Sequence, residues 1–415
     1  VWDTGEQLTP EVEMSREQLV EIARRGVAHH RHGTQDQADG MLAVPVTHDH
    51  AHDRWQLETH RVSKRLPLGV GTSSELADPG CYFAVEVVGT PVVIMRGDDG
   101  VLRAFVNMCS HRGAVVVPDG TGNARRHACP YHAWTYDSAG DLVGVLDAAD
   151  FGDFDRSCNG LTELPCAERA GLVWVTLGSQ PVIDIDTFLC GYDELLAHLG
   201  FEQCHVAGRQ VLDGPNWKIA YDGYLDYYHL PILHKDSFGP DMSTKAIYDA
   251  WGPHQHVTAP DRHFAALAEK PEAAWEIEEL VGGVWTIFPH VSIASFDADG
   301  KIYMISQLFP GETPDTSKTI QTFLHTLPPT DAQAAAVDER MAFLRHVVSD
   351  EDYATGKRIQ RALRTGAKPV NMFGRNEGGG QRFHTFVDEL IATDDADVGA
   401  LFKRCLLYTS DAADD

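Results

Sequence analysis

The chain has 415 residues, of which 43% are hydrophobic and 23% charged, and its formal net charge is −27. This is ordinary globular composition with enough apolar residues for two or three domains, so a disordered chain is excluded. A surface this negative repels phosphate backbones and anionic lipid faces, so neither nucleic acid nor a membrane is an expected partner.

No run of residues approaches the roughly 18 apolar residues of a spanning helix. The opening Val1-Trp-Asp-Thr lacks the basic and apolar regions of a signal peptide, and Val1 in place of an initiator methionine points to a missing true start. The eight cysteines, Cys81, Cys109, Cys129, Cys158, Cys166, Cys190, Cys204 and Cys405, are too sparse for a disulfide framework. A reducing, cytoplasmic location is expected, with thiolates available to a metal.

Taken in chain order, Ser15-Arg-Glu-Gln18 reads as a capping box followed by Leu19, Ile22 and Ala23 at helical spacing, which predicts a helix over 15–28. Residues 29–60 carry His29, His30, His32, His48, His50, His52 and His60 without fixed spacing or a cysteine partner, so a solvated, poorly ordered segment is expected there. From Pro67 to Leu177 short β-rich runs alternate with turn signals: 82–88, 90–95, 101–106, 134–136, 141–143 and 171–177. They predict a small antiparallel all-β domain. Beyond 180 the types mix. Helices are expected over 183–200, 215–235 and 331–348, and strands over 284–296, 301–309 and 319–327, which is an α+β domain built on an antiparallel sheet. The expected division is therefore 1–64, an N-terminal helical segment; 65–178, the β domain; and 179–404, the α+β domain. Residues 405–415 resemble a translated sequencing adapter and are expected to be a non-native tail.

Two residue sets carry chemistry. The first is Cys109-Ser-His111 and, seventeen residues further, Cys129-Pro-Tyr-His132. Two thiolates on one iron and two imidazoles on the other define a Rieske [2Fe–2S] centre, whose potential is raised by the neutral nitrogen ligands. Cys₂His₂ also suits zinc, but zinc fingers pair cysteine with cysteine and histidine with histidine, whereas each half here carries one of each. The second set is Asp226, His229 and His234. Asp226 and His229 at i and i+3 would share a helix face, and Pro231 would disturb the helix so that His234 turns back to the same metal. Two histidines and one carboxylate hold the iron of non-haem Fe(II) oxygenases and leave positions open for O₂. The third ligand is sought in Ser349-Asp-Glu-Asp352, with Asp352 preferred and Asp350 and Glu351 as alternatives.

These sets, in this order and 97 residues apart from Cys129 to Asp226, closely resemble the large (alpha) subunits of Rieske non-haem iron ring-hydroxylating oxygenases. Cys-Pro-Tyr-His-Ala-Trp, Asn216-Trp-Lys218, Tyr-His-x-x-x-x-His and Gly374-Arg-Asn-Glu-Gly-Gly-Gly-Gln-Arg-Phe-His384 carry the resemblance, which covers about residues 65–395. It implies a helix-grip catalytic domain, a homotrimer or α3β3 assembly, and electrons from a separate NAD(P)H reductase, through a ferredoxin in some members. In the head-to-tail trimer the cluster of one subunit meets the iron of the next, and the family's bridging carboxylate falls on Asp226. Aspartate rather than glutamate there leans toward aromatic or other carbon substrates. Asp222 departs from the naphthalene-type pattern, which has an asparagine near the iron at that place.

The expected function is O₂-dependent hydroxylation of a small organic substrate, aromatic in first expectation, by dihydroxylation, monohydroxylation or oxidative demethylation. The alternative is a Rieske-type electron-transfer protein without oxygenase activity, for which about 110 residues would suffice. The substrate pocket is not fixed by the sequence; Leu225, Leu230, Val284, Ile287, Phe288 and Ile293 are apolar candidates that also suit ordinary core.

Overall fold

The computed structural model describes residues 10–328 and 330–405, so the expectations about Val1 and most of the 405–415 tail lie outside the described residues. The first helix, Pro10–His32, extends past both ends of the predicted 15–28. Ser15 therefore lies inside the helix rather than capping it, its Oγ bonded to His198 Nε2 at 2.9 Å; the helix buries Leu19, Ile22 and Ala23, the spacing read from the sequence, together with Val20 and Val27.

The His-rich segment is ordered, contrary to expectation. Leu42–Pro45 forms an antiparallel pair with Val370–Phe373, and the helix His52–Glu58 continues into a π turn, Thr59–Ser63. The reason is polar anchoring that periodicity does not display. Glu58 and Lys218 are each 1% exposed and bonded at 2.6 Å, and the Trp217 indole N–H also donates to Glu58. Asn371 Nδ2 donates to the buried Asp49. The histidines are dispersed: His29 bonds Thr34 and Asp36, His30 bonds the Pro260 carbonyl, and His52 packs on Trp55.

The β-rich stretch folds into three small sheets. The largest has the spatial order Thr162–Leu164, Leu102–Val106, Thr90–Arg96, Cys81–Val87, Gly120–Asn123. Its central hairpin turns at Val88 and Gly89, both with positive φ, which is what a two-residue turn between twisted strands requires. Leu68–Thr72 pairs with Leu172–Val175, closing the unit near where it opens. Arg126–Ala128, Thr135–Asp137 and Leu142–Gly144 form the third sheet.

The α+β unit is a seven-stranded antiparallel sheet in the order His205–Gly214, Ser317–His325, Lys301–Pro310, Val291–Asp297, Val284–Ile287, His254–Thr258, Ile247–Trp251. One face meets the β-rich unit: Gln307 Nε2 and the His290 ring both bond the Gly69 carbonyl, and Arg209 pairs with Glu75 at 2.7 Å. The other face receives Trp217–Asp222, Asp331–His346 and Gly378–Ala392. Three predicted elements are corrected. The 183–200 helix is two, Ile185–Leu189 and Tyr192–Ala197, because Cys190 and Gly191 both take left-handed backbone. The 284–296 strand is a hairpin interrupted at Phe288-Pro289. The 215–235 helix stops at Asp222 and resumes only for Leu230–Leu233.

Candidate metal centres

Cys109 and Cys129 each head a loop with the same backbone bonding. Cys109 N–H donates to the Ala114 carbonyl and Gly113 N–H to the Cys109 carbonyl; Cys129 N–H donates to Trp134 and Ala133 N–H to Cys129. Four residues after each cysteine the backbone is left-handed, at Gly113 (φ 79°) and Ala133 (φ 56°). These two tight loops bring His111 and His132 together with ring centroids 4.6 Å apart, and His111 stacks on Trp134 at 5.0 Å and 13°. Both thiols are buried, and His132 Nδ1 is buried without a partner. Ser110 N–H donates to the Tyr136 hydroxyl at 2.9 Å, which leaves the phenol hydrogen for Cys109 Sγ at 3.3 Å. Burial and the Cys109 sulfur push the Tyr136 phenol up to about 12, so it stays a donor. Two buried sulfurs, an inward unpartnered imidazole nitrogen and a donor aimed at sulfur fit a [2Fe–2S] cluster of Rieske type.

His229, His234 and Asp352 meet at a second place, with one ligand atom from each lying within 4.8 Å of the others. Asp352 Oδ1 is 3.2 Å from His234 Nε2 and 3.9 Å from His229 Nε2. The opposite nitrogens are held by carboxylates: His229 Nδ1 by Asp226 at 3.1 Å and His234 Nδ1 by Glu351 at 2.6 Å. Each ring therefore keeps its Nδ1 proton and turns Nε2 inward, an arrangement that suits a ferrous ion.

The local backbone differs from the predicted single helix. Asn216 caps Trp217–Asp222 by accepting the Lys218 N–H. After Asp222 the chain turns, and Asp226 is in that turn rather than on a helix face; its Oδ1 accepts the N–H groups of Tyr228 and His229. Pro231 does not break a helix. It sits in the first turn of Leu230–Leu233, where its missing N–H costs nothing, and His234 ends that turn. Asp352 lies in a π-helical turn, Val347–Tyr353, between two α-helices. That turn directs Glu351 and Asp352 to the histidines and leaves Asp350 67% exposed against His346.

Two groups around the site, Ser237 and Tyr224, escaped sequence reasoning, whereas Glu351, weighed as an alternative third ligand, takes a different place. Glu351 and Ser237, whose hydroxyl donates to Glu351 at 2.8 Å, stand behind His234. Tyr224 donates to Ser306 Oγ, and burial with the nearby charge of Asp352 pushes its phenol up to about 12. Asp222, the departure noted above, accepts from the fully buried His384 at 3.0 Å. Burial opposes a charge on His384, but the Asp222 carboxylate outweighs it and its pKa rises. The family phrase ending in His384 was the one available signal for that pair.

The sequence pattern of the Rieske [2Fe-2S] domain matches residues 67–154, and that of the Ring hydroxylating alpha subunit (catalytic domain) matches residues 201–393. The glycine betaine monooxygenase oxygenase subunit of Chromohalobacter salexigens is 29% identical over 249 residues, 59% of this chain and 53% of that protein. The carnitine monooxygenase oxygenase subunit of Acinetobacter baumannii is 35% identical over 189 residues, 44% of this chain and 50% of that protein. The chain thus spans about half the length of these curated relatives. Among solved structures, a quaternary ammonium Rieske monooxygenase in complex with L-carnitine superposes with TM-score 0.70 at 23% identity, covering 86% of this chain and 96% of that one. Naphthalene 1,2-dioxygenase from Rhodococcus sp. bound to indole gives 0.70 at 19%, covering 91% and 99%. These two likenesses show the shared fold. With both family patterns in order along it, the chain belongs to the Rieske ring-hydroxylating oxygenase alpha subunits.

Proposed function

We propose that this chain is the oxygenase component of a multi-component enzyme that hydroxylates a small organic substrate with O₂. The observation that carries the reading is the His229–His234–Asp352 set in the same chain as Cys109, His111, Cys129 and His132. An electron carrier needs only the latter four. When bound, the cluster supplies single electrons and the mononuclear iron supplies O₂ activation. The chain's own residues hold and orient these groups. Tyr136 donates to the Cys109 sulfur, which stabilises the more reduced state. Glu351 and Asp226 fix the tautomers of His234 and His229 through Nδ1. Asp226 is also the proposed bridge to His132 of a neighbouring subunit in a head-to-tail ring, which would close as cyclic heterologous contacts do. Electrons would come from an NAD(P)H reductase, directly or through a ferredoxin, in the cytoplasm; among the described residues no helix is long and apolar enough to cross a membrane.

Two substrate classes compete. The named relatives are monooxygenases of glycine betaine and carnitine, which favours monooxygenation or oxidative demethylation. Another relative, the anthranilate 1,2-dioxygenase large subunit of Acinetobacter baylyi, acts on an aromatic ring, as the aspartate at 226 would favour. The test is metal analysis followed by substrate-dependent O₂ uptake. Three irons per chain are expected, falling to two in His229→Ala with an unchanged Rieske spectrum. O₂ uptake with reductase is then compared across L-carnitine, glycine betaine, anthranilate, naphthalene and a neutral amphipathic aromatic such as 2-phenylethanol, and the probe that responds chooses the class. Two irons per chain, unaltered in His229→Ala, would return the protein to electron transfer alone.

A further inference from the structure

The sheet face beneath the iron-binding turn is polar where a core is ordinarily apolar. Strand register places Gln210, Gln321, Ser306, Ser292, Thr286 and Gln255 side by side across six strands. Side chains in one such row share one face. All six are buried. That face is the one that meets the iron-binding turn, because Tyr224, beside Asp352, donates to Ser306 Oγ at 3.4 Å.

The hydrogen bonds in the row have a direction. Arg345 Nε donates to Gln210 Oε1 at 3.2 Å, Gln210 Nε2 to Gln321 Oε1 at 2.7 Å, and Gln321 Nε2 to Ser306 Oγ at 3.4 Å. Ser306 Oγ thus receives two donors and keeps its own hydrogen to give. Its register partner Ser292 is 1% exposed, and its hydroxyl has no hydrogen-bond partner. A buried hydroxyl in that state calls for an explanation, since such groups are nearly always paired. The row alongside is apolar, with Met304, Ala294 and Val284 in register, and Ala294 and Val284 are partly exposed although they sit within the sheet.

We infer that Ser292 and Ser306 recognise the substrate: it is amphipathic, its apolar body lying along Val284, Ala294 and Met304 and a neutral hydrogen-bonding group, such as a hydroxyl or an amide, held by the two serines. The row carries no charge of its own, and the Arg345 guanidinium at its solvent end is engaged by Gln210 and the Val211 carbonyl, so an anionic head would find no counter-charge there. The inference rests on the oxygenase reading of the neighbouring iron site and narrows its substrate class.

The test is calorimetric binding of three matched probes to the metal-replete protein: 2-phenylethanol, ethylbenzene and phenylacetate. The alcohol should bind about tenfold more tightly than the hydrocarbon, the scale of one net hydrogen bond, and phenylacetate should bind more weakly than the alcohol. Ser292→Ala removes a hydroxyl that bonds nothing in the protein, so the fold should keep its iron content and melting temperature while the preference falls to within about twofold. Ser306→Ala should act in the same direction. Equal affinities in the unaltered protein, no binding of any probe, or a preference that survives Ser292→Ala would overturn the inference; a serine that merely holds a structural water gives the first of these. O₂ uptake separates this from the function itself. Selective binding without reductant-dependent uptake would sink the oxygenase reading and keep the row, whereas uptake with ethylbenzene equal to that with the alcohol would do the reverse.

Discussion

Replacing Glu351 tests the difference between a ligand and the group that orients one. Its Oε2 accepts from His234 Nδ1 at 2.6 Å and from Ser237 at 2.8 Å, while Asp352 approaches the other nitrogen of the same ring. A charge-assisted hydrogen bond of this kind contributes about 1.5–3 kcal/mol. Its loss should therefore weaken ferrous binding by about 10–100-fold, the range seen when partners behind metal ligands are removed. Glu351→Gln keeps an acceptor oxygen and should sit near the low end, and Glu351→Ala near the high end. Asp352→Ala should lose the ion at any practical concentration, and Asp350→Ala should lose nothing, because that side chain faces solvent. Competition with a ferrous chelator measures this, with the Rieske absorbance counting chains. Wild-type affinity in Glu351→Ala, iron loss in Asp350→Ala and iron retained in Asp352→Ala would refute the assignment of all three carboxylates.

Asp226→Asn should retain both metals and a normally reducible cluster yet lose turnover by about 10–100-fold; single-turnover kinetics should place the defect after cluster reduction, and unimpaired transfer would rule the bridge out. Glu58→Ala leaves the buried Lys218 ammonium with the His48 carbonyl and the more distant Asp49, and should cost about 3–5 kcal/mol, read as a melting temperature lowered by roughly 5 °C. The third expectation concerns pH. His254 donates from Nε2 to the Phe188 carbonyl at 2.7 Å and accepts the Phe288 N–H on Nδ1 at 3.1 Å, so it must be neutral. Burial holds both His254 and His290 down to about 4. Their folded values lie below the unfolded one, so their stabilisation is complete above about pH 6.5 and is lost as pH falls toward 4, amounting to about 2 kcal/mol each by pH 5. The urea midpoint should fall between pH 7 and pH 5, and by less in His254→Gln; a midpoint that stays put would refute the argument.

What was readable in the sequence was what depends on short spacing. The Cys-x-His and Cys-x-x-His loops, the short β runs punctuated at Gly89 and at 97–100, and the apolar spacing of the first helix all arise from residues a few positions apart. The candidate iron histidines, His229 and His234, were readable for the same reason, but their backbone was not. A run from Asn216 to Leu233 has helical spacing, and only the bonds from Asp226 to the Tyr228 and His229 N–H groups show why the helix ends early. The choice among Asp350, Glu351 and Asp352 depends on a π turn that no periodicity announces. The apolar pocket candidates divided by strand alternation: Ile287 and Ile293 point away from the Ser292 row, and Val284 remains on the iron-facing side. The ordered His-rich segment was missed because its anchors, Lys218 and Asn371, lie more than 150 residues away.

The pairing of Leu42–Pro45 with Val370–Phe373 bears on how the protein is made. The β-rich unit closes on itself through Leu68–Thr72 and Leu172–Val175, so its own strand pairing is complete early, although one face still awaits Arg209, His290 and Gln307. The residues before it do not belong to that unit. They wait for partners at 218 and at 370–373, with the cluster-binding unit completed between the two halves of the iron-binding unit. At about 5–20 residues per second, the first strand stays unpaired for roughly 20–60 s while an iron–sulfur pocket already stands complete beside it. Cluster insertion can thus precede the pairing of the first strand within a single round of synthesis, and the expected sign is Rieske absorbance already present in a chain stopped just short of residue 370.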